Sequence, residues 1–173
     1  MFGDNLATTH GKNSVKLSTL CENLDNERKP ITEHLRNKGD IPYYGASGIV
    51  DYVAQYIFDE TLLLISEDGA NLVSRNTPIA FSITGKSWVN NHVHILRFKN
   101  YKLQKYVESY INNIDLSEYI NKNANPKLTQ EKLNSIMIYM PNDTTLDLYI
   151  SSINKCDKLK FEAQERLEEL NAA

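Results

Sequence analysis

The spacing of hydrophobic positions changes twice along this chain. Residues 41–98 read as strands. Ile41-Pro-Tyr-Tyr-Gly-Ala-Ser-Gly48 mixes aromatics with turn formers, and residues 49–54 alternate with the period of a half-buried strand. Residues 61–66 form an unbroken apolar run, which suits a strand covered on both faces, and a turn comes next at Glu67-Asp-Gly-Ala-Asn71. Further strands are expected at 79–84 and 89–98, joined through Gly85-Lys-Ser87. After Asn100 the period becomes helical, with Leu103, Val107, Tyr110 and Ile111 on one face. Short helices are expected near 116–122 and 128–135, separated by a break at Asn123-Ala-Asn-Pro126, and a short strand at 136–140 precedes Pro141. Before the strand region, 1–14 reads as an extended polar arm, 15–21 as a short helix and 23–40 mostly as loop.

The last change of period comes after residue 141. Asp143 or Thr144 can cap a helix over about 145–170. Within it Tyr149, Ile153, Cys156, Lys160, Ala163, Leu167 and Leu170 step alternately by four and three, the spacing of a coiled-coil seam, with Lys160 its one plainly polar member. The expected class is α+β: a mixed, sheet-rich domain over 1–141 with short helices, then a long coiled-coil-type helix over 142–173 whose seam suits pairing with another helix.

Composition narrows the function. The chain has 173 residues, 41% of them hydrophobic, enough for one cored domain plus an appendage. Its 19 basic and 22 acidic residues give a formal charge of −3, which argues against a uniformly basic nucleic-acid binder. A local patch is still allowed, because Gly69 to Val107 holds no Asp or Glu but carries Arg75, Lys86, Arg97, Lys99, Lys102 and Lys105. Cys21 and Cys156 have no metal or redox spacing, so a reducing compartment is expected. The N-terminal residues have no signal-peptide pattern and no apolar run approaches a membrane span, so the expected location is cytoplasmic, with no membrane partner.

Candidate chemistry concentrates in Gly85-Lys-Ser-Trp-Val-Asn-Asn-His-Val-His94. Two residues apart in a strand, His92 and His94 would share a face, a metal-ligand spacing suited to a cupin-like enzyme, but no carboxylate occurs after them before Glu108. The alternative is that both are hydrogen-bonded within the sheet. Asn90 and Asn91 either form a turn or offer donors and acceptors to base edges. Of the adjacent Tyr43 and Tyr44, at most one faces a ligand. The spacings of a phosphate loop, a dinucleotide fingerprint and a nucleophile elbow are all absent, and no nucleophile–base pair is evident. That pattern favours a binding subunit over an enzyme.

Three blocks, Ile41-Pro-Tyr-Tyr-Gly-Ala-Ser-Gly-Ile-Val50, Leu62-Leu-Leu-Ile-Ser-Glu-Asp-Gly-Ala70 and Gly85-Lys-Ser-Trp-Val-Asn-Asn-His-Val-His-Ile-Leu-Arg97, resemble in order and spacing the target recognition domain of type I restriction–modification specificity subunits. The resemblance continues through Leu128-Thr-Gln-Glu-Lys-Leu133, Ile138-Tyr-Met-Pro141 and the C-terminal helix. It implies a non-catalytic subunit with no cofactor of its own. Such a subunit reads one half of a bipartite DNA target and docks a modification subunit, which binds S-adenosylmethionine and methylates adenine; a restriction subunit can join. The shared blocks are framework as much as contact surface. Carried onto this chain, the candidate DNA contacts are Tyr44, Ser47, Arg75, Asn76, Lys86, Trp88, Asn90, Asn91 and His92, with the seam residues of the helix as the self-association and docking surface. Full-length members have two recognition domains and two helical regions. Here there is one of each, and Met1-Phe-Gly-Asp4 resembles the residues just after the central helix of full-length members. The expectation is a half-length subunit acting as a dimer. The competing readings are the metal enzyme and a protein-interaction module without DNA binding.

Overall fold

The computed structural model describes residues 13–121 and 124–171. The chain divides into two compact units, the first ending at Met140 and the second beginning at Pro141.

The first unit is built on two four-stranded sheets. One is antiparallel throughout, in the order β2-β9-β6-β7, from β2 (Glu22–Asn23), β9 (Val93–Arg97), β6 (Leu62–Ser66) and β7 (Ala80–Ile83). The other is mixed, in the order β4-β3-β8-β5, from β4 (Gly48–Val53), β3 (Lys38–Gly45), β8 (Lys86–Val89) and β5 (Phe58–Asp59), with β3 and β8 parallel. A small antiparallel pair joins β1 (Ser14–Lys16) to β10 (Met137–Tyr139). Every residue of β6 is buried, as its unbroken apolar run requires. Its alternation sends Leu62 and Leu64 into a core with Val93, Ile95 and Ile83 from its own sheet and Val89 and Phe58 from the mixed sheet. The opposite face presents Leu63, Ile65, His94 and Leu96.

Helix α2 (Tyr101–Asn113) starts at Asn100, whose side chain accepts from the backbone of Lys102 and Leu103, and it buries Tyr106, Val107, Tyr110 and Ile111. It also closes the outer edge of β7. The Asn112 side chain accepts from the Ile79 and Ala80 amides and donates to the Ala80 carbonyl, as a neighbouring strand would. Short helices α1 (Asn71–Ser74) and α3 (Gln130–Ser135) complete the unit.

The structure departs from the expected elements in several places. Lys86 and Ser87, read as part of a connection, belong with Trp88 and Val89 to β8 of the second sheet, and the strand expected over 89–98 begins only at Val93. Over 15–21, a short strand and a single 3-10 turn replace the expected helix. Residues 116–121 make one turn, with the Leu116 carbonyl accepting from Tyr119 and Ile120, and no helix. The expected arm falls outside the described residues as far as residue 12. The long helix is capped by Asn142, whose Oδ1 accepts from the Thr145 amide at 2.9 Å, and not by Asp143 or Thr144.

A buried ionic cluster ties distant parts of the first unit together. His94 in β9 has 1% of its side chain exposed, and Asp25 4%. Nδ1 of His94 lies 2.6 Å from Asp25 Oδ2, and Nε2 lies 2.7 Å from the Leu128 carbonyl. A carbonyl only accepts, so the contact with Leu128 requires Nε2 to donate. The second Asp25 oxygen accepts from the Ile95 amide at 2.9 Å. Arg28 donates to Glu67, to the Val93 carbonyl and to the Asp25 carbonyl, and Lys127 Nζ lies 2.9 Å from Glu67. Burial pushes the Asp25 carboxyl up, but the His94 and Ile95 hydrogen bonds and the charges of His94 and Arg28 outweigh it and hold Asp25 below its usual value. Burial likewise opposes ionisation of Glu67, and the bonds from Arg28 and Lys127 outweigh it.

The second unit is helix α4 (Asp143–Asn171). Of its seam, Tyr149 and Ile153 are partly buried, while Cys156, Lys160, Ala163, Leu167 and Leu170 are exposed, Leu170 by 75%.

Removing one partner of a buried charge pair costs about 3–5 kcal/mol, a large share of the roughly 5–15 kcal/mol that holds a typical domain together. Asp25→Ala and His94→Ala should each lower the free energy of unfolding by that order, measured by denaturant titration of Trp88 fluorescence. Lowered carboxyl values also set a pH window. Each such group stabilises the fold above its unfolded value, about 4 for Asp and Glu, and that stability is lost as pH falls through the lower folded value. The contribution of Asp25 and Glu67 should therefore be complete above about pH 5 and decline steadily below about pH 4, and Asp25→Asn should flatten the decline.

Candidate nucleic-acid interface

Three turns meet at one end of the two sheets. The β3–β4 turn carries Ala46 and Ser47, with Gly48 at φ 102°, where a side chain would be strained. Its Ala46 carbonyl accepts from Ser66 Oγ at 2.7 Å, at the end of β6. The next residue, Glu67, donates its amide to the His92 carbonyl at 2.9 Å, in the β8–β9 turn. Asn90 closes the circuit by donating its amide to the Tyr44 carbonyl at 3.0 Å. Polar side chains left exposed on these turns are Ser47, Asn91 and His92. Both Asp68 oxygens lie 3.0 Å from His92 Nδ1, which leaves Nε2 as the ring's other polar atom. The platform is fixed from below, because Glu67 belongs to the buried cluster.

The other candidate residues sort differently. Asn90 is buried; its Oδ1 accepts from the His92 amide at 2.8 Å, and a Cβ on Gly45 would lie 3.0 Å from its Nδ2. That makes Asn90 a turn-forming residue packed tightly against Gly45. Tyr44 is half-buried, its ring tilted against Phe81 with centroids 6.2 Å apart. Trp88 is half-buried and donates Nε1–H to the Lys29 carbonyl at 2.6 Å. Arg75 stands at the left-handed C-terminus of α1, φ 51°, and donates to the Ile111 and Ile114 carbonyls at 3.2 Å. It thereby covers the C-terminal end of α2, where cations are favoured. Asn76 beside it is exposed. Lys86 is exposed, with Nζ 4.9 Å from the Tyr56 ring centre.

The acid-free window is not acid-free in space. Arg97 is clamped by Glu60 and Glu22, and Lys105 pairs with Glu108 at 3.0 Å; all three acids lie outside the window. Lys86 and Lys99 remain exposed. The shared-face geometry of the two histidines is also absent, since His92 sits in the turn before β9 while both nitrogens of the buried His94 are already hydrogen-bonded. A metal bridging the two would have to break the Asp25 or Leu128 contact.

Several structurally important residues had no local signal. Asp25, Arg28 and Lys127 acquire meaning only by meeting His94 and Glu67 across the fold. The exposed apolar side chains of β4, Ile49, Val50 and Tyr52, arise from a register shift at Tyr43/Tyr44 that breaks the alternation read from the sequence. Among the described residues, no helix is long and apolar enough to cross a membrane.

Comparison with known proteins gives a consistent result. A putative type I restriction enzyme specificity subunit of Haemophilus influenzae is 36% identical over 125 residues, 72% of this chain and 32% of that protein. Among solved structures, the S subunit of a type I restriction-modification system from M. genitalium superposes with a TM-score of 0.59 at 16% identity, over 86% of this chain and 41% of that one. The specificity subunit of Thermoanaerobacter tengcongensis gives 0.51 at 15% identity, over 87% and 39%. At such identities the structural likeness speaks for the fold. The chain spans about a third of its curated relative and about two-fifths of these solved chains. Residues 10–171 match the family model described as the type I restriction modification DNA specificity domain, and the chain belongs to that family.

Proposed function

We propose that this chain is a non-catalytic DNA specificity subunit, acting in the cytoplasm, that reads one half of a bipartite target and docks an adenine-methylating modification subunit. The observation that carries this reading is the family match over 10–171 together with the three family blocks meeting in one hydrogen-bonded platform. Ser47, Asn91 and His92 are the side chains this platform offers to DNA, with Lys86 as a backbone contact. Exposed turns on a rigid scaffold are where recognition residues usually sit. Tyr44, Asn90 and Trp88 act on this reading as supports, and Arg75 as a cap for α2. Helix α4 supplies the docking and self-association surface, so that two copies present two recognition domains to an interrupted, symmetric target.

The S-adenosylmethionine belongs on the modification subunit. The metal-enzyme alternative has no observation in its favour, because His94 is committed to Asp25 and Leu128. An interaction module that no longer binds DNA remains as the second reading, favoured by the pairing of Arg97 and Lys105 with carboxylates inside the basic window.

Methylome sequencing of cells carrying a modification subunit with and without this chain tests the proposal directly. The expected result is a chain-dependent adenine methylation motif with two specific halves; an unchanged methylome would sink it. At the residue level, Lys86→Ala should reduce the slope of log affinity against log salt by about 0.9 if Lys86 neutralises one phosphate. Arg75→Ala should leave that slope unchanged and instead lower stability by about 1–3 kcal/mol through two unsatisfied carbonyls. Equal slopes for Lys86→Ala and the parent would place Lys86 off the DNA.

A further inference from the structure

Of the polar side chains exposed on the platform, His92 has its hydrogen-bonding role fixed by a partner. Ser47 carries a hydroxyl and Asn91 an amide, and each of these groups both donates and accepts. Both oxygens of Asp68 lie 3.0 Å from His92 Nδ1. A carboxylate only accepts, so the hydrogen of this contact sits on Nδ1, and in the neutral ring Nε2 is left as an acceptor. We propose that His92, with its tautomer set by Asp68, reads one exocyclic amino group in the major groove, adenine N6 or cytosine N4. The inference rests on the DNA-reading platform of the proposed function and names the base chemistry at one position of it.

The geometry of the pair is set before any ligand arrives. His92 donates its amide to Asn90 Oδ1 at 2.8 Å, and its carbonyl accepts from the Glu67 amide at 2.9 Å. Asp68 lies between Glu67, whose carbonyl accepts from the Leu128 amide at 2.8 Å, and Gly69, whose amide donates to the Pro126 carbonyl at 3.1 Å. Backbone is thus held under both partners, and a ring already oriented loses less on binding. Stability does not account for the pair, because the His92 side chain is 53% exposed and ion pairs so open to water add little to folding. Charge points the same way as the tautomer. In the major groove guanine puts the acceptor O6 where adenine has the N6 amino group, and thymine puts O4 where cytosine has N4. An accepting nitrogen backed by a carboxylate attracts the amino group and repels the oxygen, and it repels phosphate as well. His92 therefore separates adenine from guanine, or cytosine from thymine, at a fixed place in the groove.

His92→Ala and Asp68→Asn test this in the full chain with a modification subunit. The methylome of cells carrying the parent chain defines the motif. His92→Ala should keep that motif except at one position, which becomes degenerate. Asp68→Asn preserves shape, but its amide can donate to Nδ1 and so allows the hydrogen on Nε2; the same position should relax and the others should hold. At that position, an oligonucleotide whose base lacks only its exocyclic amino group should bind the parent about tenfold more weakly, the value of one ordinary hydrogen bond. It should bind His92→Ala as well as unmodified DNA does. A motif unchanged in His92→Ala takes the ring off the bases and overturns the inference. Sensitivity of the parent to loss of purine N7 at that position, and none to loss of the amino group, would show a donating Nε2 and overturn it too. If His92→Ala methylates nothing, His92→Gln decides, because its amide oxygen can accept: recovery of the parent motif supports the assignment, and continued loss gives His92 a structural role and overturns it. Absence of any chain-dependent motif with the parent would instead sink the specificity-subunit reading beneath it.

Discussion

The contact between His94 and Asp25 is the constraint on which the first unit depends. It is short, dry and charged, and it joins a strand of the central sheet to a turn nearly seventy positions earlier in the chain. Through the other imidazole nitrogen the same ring fixes the Leu128 carbonyl, and through Arg28 and Glu67 the cluster reaches the end of β6. Buried charge is costly unless every member is satisfied. Here Asp25, Arg28, Glu67 and His94 each have at least two partners, and the backbone donors and acceptors in the cluster come from Asp25, Ile95, Val93 and Leu128. The cluster therefore specifies more than it stabilises. An apolar filling could hold the same elements together, but it would not dictate which carbonyl lies against which ring nitrogen.

That precision is passed upward. Glu67 anchors Lys127 below and holds the His92 carbonyl above, so the turn bearing Asn91 and His92 has little freedom to move relative to β6. A recognition surface needs this rigidity, because a side chain that must also be ordered on binding contributes less to discrimination. Two residues with the same name then have opposite roles: Asn90 points inward and builds the turn, while Asn91 points outward on top of it.

Much of the fold was legible in the sequence because it rests on local patterns. The all-apolar run at 62–66 and the helical spacing after Asn100 record which faces are buried, and the heptad steps after 145 mark a continuous helix. β8 was not legible, since Lys86-Ser-Trp-Val89 is too short to show a period and its strand character comes from pairing with β3 and β5. The site was harder to read for the same reason. A charge window counted along the chain misleads when Glu22, Glu60 and Glu108 fold onto its arginine and lysine. The pair His92 and His94 looked like one unit at a spacing of two, but a turn separates them, so one faces solvent and the other the deepest part of the unit.

Neutralisation of the basic window bears on how this chain would hold DNA at all. Non-specific affinity comes mostly from phosphates neutralised by cations, and in the first unit Arg28, Arg36, Arg75 and Arg97 are committed to carboxylates and a helix end, which leaves that work to lysines. On the proposed reading, a single recognition domain is a weak binder, and the long helix answers that weakness. Joining two domains makes the second binding event intramolecular, with an effective concentration set by the connecting element, and affinity rises without any new contact to DNA. A stiff helix of 29 residues does this better than a flexible linker, because it also fixes the separation of the two half-sites.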